Sequence, residues 1–180
     1  MGCWGITAFE SDAGLDAVGF IKKNLPKNGK IELETIIEAL RQENWNAPPD
    51  VEQAGSHTSA MALAEIMVKF IDRDIGSLDR KFSTVTSFSA SRESLLWLQD
   101  YISGSLQHAK LSAKYDGEKW GGWFEKKNWI GWQEHMKTLT NRLDMLLAIG
   151  GDRIELIASQ QQQTGDNEFD ETCAVIQQIQ

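Results

Sequence analysis

The stretch from about Ser56 to about Ile75 constrains the fold most. Met61, Leu63, Ile66, Met67, Val68, Phe70 and Ile71 cover most of a helical circumference and leave only a narrow polar stripe through Glu65, Lys69 and Asp72. A helix apolar on nearly every side is stable only when other elements cover it, so this one is expected at the centre of the molecule. Glu65 and Lys69 stand four apart in the favourable order and read as a surface ion pair.

The flanking sequence supplies the cover. Ser11 or Asp12 caps a first helix that runs through Leu15, Val18 and Ile21 before Pro26 ends it. "IELETIIEALRQEN" places Ile36, Ile37 and Leu40 on one side and Glu34 and Glu38 on the other, which reads as the solvated face. The prolines of "NWNAPPD" end it. "KFSTVTSFSAS" alternates Phe82, Thr84, Thr86 and Phe88, and an extended crossover is preferred there to a short strand. Two further amphipathic helices follow: one through Leu95, Leu98, Ile102 and Leu106, capped by Ser91, and one through Trp132, Met136, Leu139, Leu143 and Leu146, stopped by Gly150. The expected fold is mostly α: a single-domain bundle of about five to six helices over residues 1–180, with a short strand or extended C-terminal segment. From about residue 160 the composition predicts an acidic, partly mobile tail.

Charge placement narrows the class of partner. The net charge is -8, and the excess lies at the ends: residues 1–20 hold three acids and no Lys or Arg, and residues 151–180 hold six acids and Arg153. Nucleic acid is disfavoured because phosphate contacts need a basic face. A basic protein partner suits the acidic ends. The longest mostly apolar run, "MALAEIMVKFI", is too short for a bilayer and includes Glu65 and Lys69, so no membrane role is expected. With only Cys3 and Cys173, at opposite ends of the sequence, reduced thiols and a cytoplasmic setting are the simplest reading.

Four of the seven tryptophans, Trp120, Trp123, Trp129 and Trp132, crowd into "KWGGWFEKKNWIGW". Such a cluster either anchors a partner or fills the gap between helices, and core packing is favoured because aromatics dominate cores as readily as interfaces. The acids Asp166, Glu168, Asp170 and Glu171 form the matching candidate surface for a basic partner. Asp12 and Asp16 share a helical face and suit a hard cation, although acids in a first turn also stabilise the positive end of the helix. His57, His108 and His135 are scattered without zinc spacing and read as surface or helix-end residues, with His57 the one best placed to border a small pocket. No phosphate loop, nucleophile constellation or catalytic motif is present in the sequence, and no cofactor is expected.

The opening "MGCWGITAFESDAGLD" carries Met1, Gly2, Trp4, Gly5, Phe9, Asp12 and Asp16 in the pattern MG-x-WG, then Phe, then an acidic helix start. It resembles the bacterial family known as domain of unknown function 4259. The match covers about the first twenty residues and departs at Ala13, where the family has a second acid; a metal held by that acidic pair would be poorly served here. The resemblance implies a small bacterial cytoplasmic protein. From the residues themselves, the glycines let the backbone turn closely, Trp4, Ile6 and Phe9 dock as apolar anchors, and a capped helix follows. The functional expectation is a protein-binding module, an immunity or antitoxin-like neutraliser of a basic partner. The alternatives are a metal-dependent or metal-binding protein using Asp12 and Asp16, and a homo-oligomer that buries the tryptophan cluster.

Overall fold

The computed structural model describes residues 2–53, 57–116, 126–157 and 177–178. Within them five α-helices surround and flank a small mixed sheet: α1 (Asp12–Lys23), α2 (Leu33–Arg41), α3 (Thr58–Ile71), α4 (Arg92–Asp116) and α5 (Trp129–Ile149), with β1 (Lys30–Glu32), β2 (Ser87–Ser91), β3 (Arg153–Ile157) and the two-residue β4 (Gln177–Gln178). The chain is mostly helical, as the periodicity predicts.

Helix α3 is the centre. Every residue from Thr58 to Met67 is buried, and so is Phe70, because α1, α4 and α5 all pack on it. The Ser11 hydroxyl caps α1 by accepting the Gly14 N–H at 3.0 Å. The buried face of α1 is Gly14, Ala17, Val18 and Ile21; Leu15, expected inward, is 46% exposed. Gly14, next to it, is buried instead and lies against the Ala8 carbonyl.

Helices α4 and α5 pair over Leu95, Leu98, Ile102, Leu106 and Ala109 on one side and Trp132, Met136, Leu139, Leu143 and Leu146 on the other, all buried. The Ser94 N–H donates to the Ser91 hydroxyl at the start of α4, and Gly150, at φ 84°, takes the chain out of α5.

Two segments differ from expectation. Lys30–Glu32 is a strand rather than the start of α2, because Ile31 pairs with Phe88 and points into the core while Lys30 and Glu32 face out. The crossover at 82–91 divides: Arg80–Thr84 is a 3-10 turn, and Ser87–Ser91 becomes β2. Strand β2 lies between β1, to which it is parallel, and β3, to which it is antiparallel; β3 pairs in turn with β4. Its Phe88 ring meets Phe70 of α3 at 5.6 Å between centroids, joining the sheet to the central helix.

Candidate functional site: the N-terminal hook and the cleft beneath it

Residues 2–12 form a closed hook. Cys3 and Ser11 bridge as an antiparallel pair, the Trp4 N–H donates to the Glu10 carbonyl at 3.0 Å, and the Asp12 N–H donates to the Gly2 carbonyl at 3.0 Å. The Glu10 carboxylate fastens the tip: its Oε2 accepts the Ile6 and Thr7 N–H groups at 2.9 and 3.1 Å and the Thr7 hydroxyl at 3.0 Å. Hydrogen bonds from Thr7 and Ile6 hold Glu10 below its ordinary value of 4.5. Two glycines are required by close approach. A Cβ on Gly5 would lie 2.2 Å from the Glu10 carboxylate, and one on Gly14 would lie 1.8 Å from the Ala8 carbonyl oxygen.

Alternation across the bridge turns Cys3 and Ser11 inward and Trp4 and Asp12 outward. Trp4 is therefore 53% exposed rather than docked, while Ile6 and Phe9 pack against the core. Asp12, Leu15 and Asp16 are exposed on adjoining turns of α1. The Asp12 carboxylate also accepts the Gly2 N–H at 2.8 Å, tying the hook to the helix. The hook and the first turns of α1 thus expose two large apolar side chains, Trp4 and Leu15, and two carboxylates, Asp12 and Asp16.

Beneath the hook lies a polar centre formed by three distant segments. Glu65 on α3 is only 5% exposed. Its Oε1 accepts the Ala8 N–H at 2.8 Å and the His135 Nε2–H at 2.7 Å. The expected surface pair with Lys69 does not form. Glu65 faces the hook and α5, whereas Lys69 donates to Asp74 at 3.0 Å and Ser77 at 2.6 Å. His135 is likewise a half-buried partner of Glu65 rather than a surface residue. A cleft of about 390 Å³ opens here, bounded by Phe9, Val68 and Leu139 on its apolar side and by Glu65, His135 and Lys69 on its polar side.

The remaining sequence candidates are dispersed. Trp129 and Trp132 are buried on α5 with their rings stacked at 5.7 Å. Trp120, Trp123, Asp166, Glu168, Asp170, Glu171 and Cys173 lie outside the described residues. His57 is buried, its Nδ1 2.7 Å from the Tyr101 hydroxyl, which donates to the Pro49 carbonyl; burial holds this imidazole below its ordinary 6.5. Glu34, read as solvated, is instead a junction. It accepts the Ser91 N–H at 3.3 Å and pairs with Arg153 of β3, so it joins α2 to the sheet.

Among the described residues no three His, Cys, Asp or Glu side chains come together to hold a metal, and no helix is long and apolar enough to cross a membrane. The sequence signal for the Glu65 centre was the carboxylate within an otherwise apolar helix. Compared with protein-family models, curated proteins and solved structures, the chain matches none.

Proposed function

We propose that this protein is a cytoplasmic protein-binding module that engages, and thereby neutralises, a basic partner through the outward face of the N-terminal hook. The observation that carries this reading is that the hook and the helix it leads into expose Trp4 and Leu15, both large and about half exposed, together with the carboxylates Asp12 and Asp16. An aromatic anchor with adjacent charge is the pattern of an interface centre, in which the apolar group supplies affinity and the carboxylates orient the approach. The hook's hydrogen bonds hold that face in one arrangement, which lowers the ordering cost of association. In this reading the opening that resembles the domain of unknown function 4259 family is the frame for the face, and the glycines at positions 5 and 14 are the conditions for closing it.

The test is capture from the native host at low salt with the parent, Trp4→Ala and Asp16→Lys. The expected result is one basic protein retained by the parent, released as salt rises and lost from both variants. A parent recovered alone, or a partner held equally by both variants, removes the reading.

A further inference from the structure

Helix α1 carries an outward stripe that its own chain leaves unanswered. At 3.6 residues per turn, Asp12, Asp16, Gly19 and Lys23 fall within about 60° of arc, opposite the buried Gly14, Ala17, Val18 and Ile21. Asp12, Asp16 and Lys23 are exposed, and Leu15 flanks the stripe at 46% exposure. Acids one turn apart repel on a helix, and the next turn, where a base would relieve them, holds Gly19 and Phe20. Lys22 is matched with Asp79 at 2.7 Å, but among the described residues neither Asp16 nor Lys23 makes an ion pair.

Gly19 is unanswered in a second way. A glycine inside a helix is costly relative to alanine, so its presence calls for a close approach. At Gly14 that approach is visible, since the Ala8 carbonyl lies against it, whereas an added Cβ at Gly19 would meet nothing within 4 Å. The separation of two crossing helices is set by the side chains at their contact, and a glycine there permits the closest crossing.

The charges are disposed about that same point. Asp16 and Lys23 are about 10 Å apart along the axis at 1.5 Å per residue, and their midpoint falls between Gly19 and Phe20. A two-fold axis through this midpoint, perpendicular to the helix, lays a second α1 antiparallel on the first, with each Asp16 over the Lys23 of the other copy. The stripe is thereby its own complement, which is what a two-fold interface requires. The parallel arrangement sets acid on acid and base on base.

We propose that the outward face of α1 binds a second copy of this chain, as an antiparallel two-fold pair that crosses at Gly19 and is joined by reciprocal contacts between Asp16 and Lys23. A single 12-residue helix offers less than a standard interface, so the dimer is weak and reversible, with a Kd on the order of 0.1 mM. Asp16 also belongs to the face that engages the basic partner, so the two occupants exclude each other. The dimer itself does not depend on that partner.

The test is sedimentation equilibrium of the purified full chain at low salt, from about 0.01 to 1 mM, a range that brackets this Kd. The parent should rise in average mass toward a dimer and fall back as salt screens the pairs. Asp16→Lys and Lys23→Asp each set like charges opposite one another and should each weaken self-association at least about tenfold. Mixed in equal amounts, the two variants should associate with each other as the parent does with itself, because every acid then faces a base. Gly19→Gln adds its side chain where the monomer has open space and should abolish association by filling the crossing. A parent monomeric at about 1 mM, single variants that associate as the parent does, a mixture no more associated than its components, or undiminished association of Gly19→Gln overturns the proposal. Every readout uses the purified chain, so a failure to capture a basic partner leaves this result standing on its own.

Discussion

Replacing Gly14 by alanine tests the hook most directly, because the general rule and this structure predict opposite signs. Alanine is worth about 1 kcal/mol over glycine inside a helix, and no positive φ forbids a side chain at Gly14. Yet the added methyl would lie 1.8 Å from the Ala8 carbonyl oxygen, roughly 1.5 Å short of ordinary contact, and that obstacle is backbone. Relief requires residue 8 to move away from α1. That movement breaks the Ser11 cap, which bonds both Ala8 and Gly14, and pulls the Ala8 N–H from buried Glu65. Losing a cap costs about 1 kcal/mol and losing a buried hydrogen bond to a charged group about 2 kcal/mol. Set against the helix gain, the net destabilisation is about 2 kcal/mol. Gly19, on the same helix, has nothing within 4 Å of an added Cβ, so Gly19→Ala should stabilise by about 0.5–1 kcal/mol. Urea unfolding followed by circular dichroism reads both, with midpoints displaced in opposite directions, the Gly14 variant by about 1 M. A Gly14→Ala protein as stable as the parent would refute the close approach and the account of the hook with it.

Stability should fall on acidification in two windows. His57 resists protonation in the folded state, so stability drops as pH falls below 6.5 and levels once the folded imidazole also takes its proton. Glu10 and Glu34 are both held below 4.5, Glu10 by hydrogen bonds from Thr7 and Ile6, and Glu34 because hydrogen bonds and Arg153 outweigh its burial; their stabilisation is complete above 4.5 and lost as pH falls through their folded values. Urea titrations from pH 7 to 3 should show both steps, and His57→Gln should remove the first; an unchanged upper step contradicts the assignment. Trp132→Ala should cost about 3–5 kcal/mol, because Trp132 is fully buried, whereas Trp45→Ala, at a side chain 88% exposed, should stay within about 0.5 kcal/mol in the same assay. Arg153→Ala should cost about 1 kcal/mol by thermal unfolding, since it frees Glu34 at a half-exposed junction; a loss above about 3 kcal/mol would show that the junction acts as a buried pair.

The helices were legible because their cause is local. The spacing of Trp132, Met136, Leu139, Leu143 and Leu146 names the buried face of α5 without knowledge of what covers it, and Ser11 and Gly150 mark ends by their own chemistry. What escaped was set by distant partners. Ile31 reads as helical until Phe88 is placed beside it. Glu65 reads as one half of an i,i+4 pair because its true partners, Ala8 and His135, are 57 and 70 residues away. Glu34 misled in the same way, since no periodicity reveals Arg153. The hook was half visible: its glycines and cap follow from local chemistry, but Trp4 faces outward because of the bridge between Cys3 and Ser11.

The central position of β2 has a consequence in time. Lys30 pairs with Ser87 and Ser91 pairs with Arg153, so the sheet joins three stretches separated by pairs of helices, α2 and α3 on one side and α4 and α5 on the other. Helices of this length form in about a microsecond, whereas closing such long intervals is entropically slow until packing has shortened them. Strand β3 reaches β2 only after α4 and α5 have folded back on each other, so the ladder is a late clasp on an assembled bundle. In pulse-labelled refolding the amides of residues 87–91 and 153–157 should gain protection after those of α4 and α5, and the reverse order would make the sheet the nucleus around which the helices gather.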